Sequence, residues 1–98
     1  MINRPEVEGV VGVLRGIGSP VRWVILNHLA LGPCVVGALI EATGESQSTV
    51  SQHLHLLHQL GLVQCTKRSV WREYSLAPDV ARFLRQIQSL AATLTPQE

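Results

Sequence analysis

Charge is scarce in this chain. Asp, Glu, Lys and Arg make up 15% of its 98 residues, and eight cations against seven acids leave a formal net charge of +1. No whole-molecule field draws it onto a polyanion, so any contact with nucleic acid has to be local. Long apolar runs are missing as well. The longest uncharged apolar stretch, Leu29 to Ile40, falls short of the roughly 20 residues a bilayer demands and contains Gly32, Pro33 and Gly37. At the start, Arg4, Pro5, Glu6 and Glu8 interrupt any secretory core. The expectation is a cytoplasmic protein with no membrane partner. Cysteine is limited to Cys34 and Cys65, with no Cys-x-x-Cys pair, which argues against a structural disulfide in a reducing compartment. A Ser-His-Asp order with a nucleophile turn, a glycine-rich phosphate loop, internal repeats and low-complexity tracts are all absent. An enzyme is not expected, and no cofactor is implied.

What is present fits one domain over residues 1–98, with 46% hydrophobic content. A chain this short hides only about two-thirds of its unfolded surface, so a partner copy is an early suspicion. Val7, Val10, Val11, Leu14 and Ile17 recur at helical spacing from Pro5 to Ile17, and Gly9, Gly12 and Gly16 make that helix dependent on packing. Ser19-Pro20 opens a second helix that runs to Leu31 ahead of Gly32-Pro33. A third spans Val35 to Thr43 and ends at Gly44, and Ser46 caps a fourth from Gln47 to Leu60. Leu62 to Thr66 and Trp71 to Leu76 flank the turn-like interval Lys67 to Val70 and read as a hairpin. Pro78 and Asp79 open a last helix to Leu94, with Phe83, Leu84, Ile87 and Leu90 on its stripe, and the tail from Thr95 frays. The class is mainly α with a small β-hairpin, in the order αααα-ββ-α.

The fourth helix carries the functional signal. Val50, Leu54, Leu57 and Leu60 gather on one side, while Ser48, Ser51, Gln52, His55 and Gln59 present a polar side without a single charge, and Gln47 at the helix start is likewise neutral. Two helices joined by a tight glycine-containing turn and followed at once by a hairpin form a winged helix-turn-helix. Short neutral side chains enter a major groove about 12 Å wide without repelling phosphate, and Gln pairs bidentately with adenine. Lys67, Arg68 and Arg72 on the hairpin bring local positive charge to the flanking backbone. His55 faces outward, where it meets either DNA or water. His53 lies beside the apolar stripe and reads as a hydrogen-bonded structural residue. His55 and His58 are one turn apart, but two imidazoles leave a tetrahedral metal site incomplete.

Gly18-Ser19-Pro20-Val21-Arg22, the run Ser46-Gln47-Ser48-Thr49-Val50-Ser51-Gln52-His53-Leu54, and Trp71-Arg72-Glu73-Tyr74-Ser75-Leu76 together resemble the ArsR/SmtB family of bacterial winged-helix repressors. The resemblance covers nearly the whole chain. It implies a homodimer joined by its first and last helices that binds a dyad-symmetric double-stranded DNA operator and leaves it when an effector binds. In that reading the stripes Val7/Val10/Val11/Leu14 and Phe83/Leu84/Ile87/Leu90 meet across the dyad. The usual glycine of the wing tip is Ser69 here. Metal sensing is the activity most often associated with the family, yet the positions matching its cysteine pair are Val35 and Gly37, with Cys34 one residue out of phase. The last helix offers only Asp79. No metal site is therefore expected, and the effector is unknown. Cys34, just ahead of a helix start where a thiol pKa is lowered, and Cys65 read either as inert packed thiols or as sensors of oxidant or sulfur. The competing function is a winged-helix platform for protein interaction or dimerisation, which the modest charge favours.

Overall fold

Asn3 opens the first helix by accepting a hydrogen bond from the Glu6 amide at 2.9 Å, with a proline in the first turn behind it. The computed structural model describes residues 3–95, and that helix, α1, covers Arg4–Ile17. Ser19 caps α2 (Pro20–Leu29) in the same way, accepting from the Arg22 amide at 3.3 Å. The two helices meet at 88°, and no single helix among the described residues is long and apolar enough to cross a membrane. α2 ends two residues before the position expected from sequence. Leu31 is 85% exposed and Gly32 leaves helical space at φ 146°, so nothing apolar holds a further turn in place.

α3 (Val36–Thr43) and α4 (Gln47–Gln59) form the helix-turn-helix. Gly44 takes a left-handed φ of 71° to end α3, a conformation that a Cβ makes costly. Thr43 stitches the turn: its hydroxyl donates to the Leu39 carbonyl at 2.8 Å and accepts from the Glu45 amide at 3.2 Å. Ser46 then accepts from the Thr49 amide at 3.1 Å and starts α4. Ile25, Leu26 and Leu29 of α2 bury against Leu39 of α3, and Val50, Leu54 and Leu57 of α4 close the same core with Leu62, Val63, Val80 and Leu84. Gly16 is the one buried residue of α1. A Cβ there would stand 2.5 Å from a Leu62 methyl and 3.0 Å from one of Leu60, so α1 crosses the end of α4 at a distance only glycine permits. Of the three glycines within α1 only Gly16 makes so close an approach, since Gly9 faces open space and Gly12 makes ordinary contact.

β1 (Val63–Arg68) and β2 (Trp71–Leu76) pair antiparallel from Val63↔Leu76 to Arg68↔Trp71. Lys67 and Arg68 therefore belong to the ladder, and the turn shrinks from the expected four residues to Ser69-Val70. Ser69 alone takes positive φ, 54°, where the resemblance anticipates glycine. Positive φ at the first turn residue only is the sign pattern of a type II′ turn, which suits the twist of the strands. A third segment joins this sheet. The Cys34 amide donates to the Tyr74 carbonyl at 3.0 Å and the Tyr74 amide donates back at 2.8 Å, tying the wing to the entrance of α3.

α5 (Val80–Leu94) begins after Asp79 rather than at Pro78. Asp79 sits at φ 70°, outside helical space, and its carboxylate caps no amide but accepts from Arg82 at 3.1 Å. Thr95 closes the helix, and the rest of the tail expected to fray lies outside the described residues. The apolar stripe of α5 serves two neighbours. Val80 and Leu84 enter the core, whereas Leu90 is half exposed and Phe83 and Ile87 are half-buried. Leu84 is thus removed from the expected dimer seam: at 2% exposure it has no surface left to offer another chain. Val7, Val10, Val11 and Leu14 on α1 remain open to solvent, and Val10, Val13 and Leu14 line, with Phe83 and Ile87, an apolar depression of about 520 Å³ that continues into a second between Leu14, Ile17, Trp23 and Ala91.

Candidate nucleic-acid interface

Because Val50, Leu54 and Leu57 anchor one side of α4 in the core, the helix periodicity forces its other side outward. Gln47, Ser48, Ser51, Gln52 and His55 are all exposed there, and none of their side chains is held by another residue in the described structure. Ser46 is committed to capping, with a further bond to the Thr49 hydroxyl at 3.0 Å. The start of α4 carries no acid in its first turn, so the free amides and the positive end of the helix dipole meet solvent unopposed.

The hairpin sorts its three cations onto two faces. Residues directly opposite in an antiparallel ladder share a face, and the side chains alternate along each strand. Lys67 and Arg72 are opposite each other, on the same face as Cys65 and Tyr74, which look toward α4. Arg68 lies on the other face, where Glu73 approaches it at 3.7 Å. Two like charges set directly opposite destabilise a hairpin, and no carboxylate offsets Lys67 or Arg72 within 4.0 Å among the described residues. Between this face and α4 lies a cleft of about 280 Å³, lined by Ser51, Leu54, His55, His58, Cys65, Arg72 and Tyr74. The cleft thus brings Ser51 and His55 of α4 together with Arg72, while Lys67 shares the Arg72 face of the hairpin without lining the cleft and Arg68 is turned away.

Both cysteines flank Tyr74. Cys34 bridges it on one side and Cys65 pairs with it on the other. Two successive strand steps of about 5 Å put their Cα atoms roughly 10 Å apart, beyond the ~7 Å a disulfide tolerates. The two thiols cannot join without opening the sheet. Arg72 reaches toward the Cys65 sulfur at 4.0 Å. Burial, and secondarily its contact with Cys65, pushes the Tyr74 hydroxyl above its ordinary pKa, against a smaller opposing pull from Arg72. The expectation that a helix start lowers the Cys34 pKa is overturned: burial, with the Glu73 carboxylate adding to it, pushes the thiol up. Cys34 precedes the cap of α3 and lies in the sheet bridge rather than over the free amides of the helix. A raised thiol pKa leaves less thiolate at neutral pH, so Cys34 should alkylate several-fold more slowly than a free cysteine at about pH 8 and catch up only in stronger alkali. Timed iodoacetamide labelling with mass-spectrometric readout checks this, and labelling of Cys34 at the free-thiol rate would refute it.

The metal chemistry that accompanies the family resemblance does not fit these residues. Among the described residues no three His, Cys, Asp or Glu side chains converge on one point. Asp79, the sole acid offered by the last helix, is bound to Arg82, and Val35 is the backbone cap of α3. His53 takes the structural role read from its position. It is half-buried and its Nδ1 lies 3.2 Å from Arg22 Nη1, a partner 31 residues away that sequence reasoning did not single out.

Comparison with known proteins places these features in a lineage. The family model described as bacterial regulatory protein, arsR family, matches residues 19–64, the span from the cap of α2 into β1. An HTH-type transcriptional regulator of Methanocaldococcus jannaschii, MJ1325, is 32% identical over 75 residues, which are 76% of this chain and 84% of that protein. The HTH-type transcriptional regulator NmtR of Mycobacterium tuberculosis is 44% identical over 54 residues, 55% of this chain, and the match spans only 45% of NmtR. The homodimeric winged helix-turn-helix DNA-binding domain Mb0332 of Mycobacterium bovis superimposes with a TM-score of 0.84 at 29% identity, over 94% of this chain and 88% of that one.

Proposed function

The chain belongs to the ArsR family of regulatory proteins, and on that footing we propose that it is a homodimeric transcriptional repressor, binding a dyad-symmetric operator with α4 and the wing. One observation carries the reading: an exposed, uncharged Gln/Ser/His face on α4 lies beside the uncompensated Lys67–Arg72 pair of the hairpin. Ser48, Ser51, Gln52 and His55 face base edges in the major groove, and Gln47 lies with the amides at the helix start, over the phosphates. Lys67 and Arg72 hold the flanking backbone, which supplies the negative charge that their mutual repulsion lacks in the free protein. Arg68 contributes less, because Glu73 already engages it on the other face.

Dimerisation completes the site. Val7, Val10, Val11 and Leu14 meet Phe83, Ile87 and Leu90 of a second copy, and the two-fold axis sets the recognition helices about one DNA turn, roughly 34 Å, apart. The described residues then act as one DNA-binding and dimerisation unit. In this reading the protein responds to no tightly bound divalent metal, and repression is set by its own concentration or by a signal other than metal.

Gel retardation with the DNA upstream of its own coding sequence tests the proposal. Purified protein should retard that fragment at about 10⁻⁸ M or below, and binding should weaken steeply as salt rises. Absence of any salt-sensitive retardation on genomic fragments would reject operator binding in favour of the protein-interaction platform. Submicromolar zinc that dissociates the complex would reject the metal-independent reading.

A further inference from the structure

The last carbonyls of α1 have no partner within their own helix, and Gly18 makes no capping bond there. Arg22, in the first turn of α2, supplies what is missing. Its Nε donates to the Gly16 carbonyl at 3.0 Å and its Nη2 to the Arg15 carbonyl at 2.8 Å. A cation at a helix C-terminus also sits well with the helix dipole. The remaining nitrogen, Nη1, points the other way and lies 3.2 Å from His53 Nδ1 on α4. One planar guanidinium therefore spans three helices, holding the end of α1 with one edge and α4 with the other. Arginine has no acceptor, so Nδ1 must be the acceptor in this contact. The imidazole is then neutral, with its proton on Nε2.

From this geometry we infer that Arg22 is a positioning residue that locks the DNA-contacting helix to the dimerising helix through His53, and that the lock holds only while His53 is uncharged. The inference rests on the reading of α4 as the recognition helix and α1 as a dimer element. In a symmetric dimer the spacing and tilt of the two α4 helices follow from how each is fixed to its own α1, so Arg22 helps set the operator spacing without touching DNA. A second proton on the ring removes the acceptor and places two cations face to face. Among the described residues the hydrogen-bonding partner of the His53 ring is the guanidinium from α2, which is itself bound on its other edge to backbone carbonyls of α1. Among the described residues no carboxylate lies within 4.0 Å of either side chain to absorb the added charge.

Two measurements test this, and the first uses no DNA. Nitrogen-15 NMR of the free protein should show His53 with Nδ1 unprotonated, and the amides of Arg15 to Ile17 should follow the His53 titration. That response should vanish in Arg22→Gln and in His53→Gln. The second compares operator binding between about pH 7.5 and pH 5.5, the range in which histidine changes charge. Glutamine keeps an acceptor toward Arg22 but does not titrate, so His53→Gln should match the wild type at the upper pH. Toward the lower pH the wild type should lose about tenfold in affinity relative to that variant, the lower end of the weight of one charge-assisted bond. His53→Leu, lacking the acceptor, should be weak at both. Protonation of His55 and His58 affects wild type and His53→Gln alike and cancels in the ratio. Superimposable pH profiles, a proton on Nδ1, or α1 amides indifferent to His53 would each overturn the inference. If no variant binds DNA while the NMR coupling appears as stated, the lock stands and the operator reading fails instead.

Discussion

Replacing Leu90 by Asp is expected to leave the protein monomeric at low micromolar concentration and to lower operator affinity about a hundredfold or more. Leu90 is 53% exposed on α5, and Val10, at 54%, is its counterpart on α1; between the two helices lies the apolar depression lined by Phe83 and Ile87. Closing that face against a second copy removes a continuous apolar surface from water, the dominant favourable term in association. A carboxylate at Leu90 would be stranded in the seam without a cation to pair it, twice over in a symmetric dimer. The DNA effect follows from valency. Once one half-site is bound, the second binds at the high effective concentration set by the dimer, and a monomer forfeits that gain. Val10→Asp should behave alike. Leu84→Asp should not, because Leu84 is in the protomer's own core and its replacement unfolds the chain rather than splitting a pair. Sedimentation equilibrium with circular dichroism separates the two results. A folded Leu90→Asp monomer that binds a palindrome at wild-type strength would show that the terminal helices do not build the operator-binding form.

The difference between Leu84 and Leu90 marks where the sequence stops being legible. Helical periodicity puts both on one stripe of α5, but the stripe is wider than one contact. At 100° per residue Val80, Leu84 and Ala91 gather on one edge and Phe83 and Leu90 on the other. Periodicity says that a face is apolar, not which neighbour covers it. Local chemistry was far more readable. Ser19, Ser46 and Gly44 act where capping and left-handed turns require them, so α2 and α4 begin, and α3 ends, where their residues dictate. At the hairpin tip Lys67 and Arg68 look like turn residues but lie in the ladder, because residues 66–72 are exposed on both faces of the wing and its strands tolerate charge there. Pro78 suits a first helical turn, yet Asp79 at φ 70° breaks the path and α5 starts only at Val80. The Cys34–Tyr74 bridge and the Arg22–His53 contact join residues 40 and 31 apart, and no periodic pattern announces a single long-range hydrogen bond.

Gln52→Ala and Arg72→Ala should weaken DNA binding in ways that can be told apart. Gln52 sits on the exposed face of α4 with no partner of its own, so its amide is free to engage a base edge. Its loss should cost about 1–3 kcal/mol at the preferred operator and little on unrelated duplex, flattening the preference for one base pair. Arg72 acts through charge. Removing it should weaken every sequence together and reduce the slope of log affinity against log salt by about one. It should also stabilise the free hairpin slightly, since Lys67 then faces no cation across the ladder. Arg68→Ala should shift the salt slope less than Arg72→Ala, because Glu73 already offsets the Arg68 charge on the face turned from α4. Titrations on specific and scrambled duplexes at several salt concentrations read all three variants. Equal losses from Arg68 and Arg72 would mean that both faces of the wing meet phosphate, and an unchanged operator affinity in a folded Gln52→Ala/Arg72→Ala double variant would take DNA off this surface altogether.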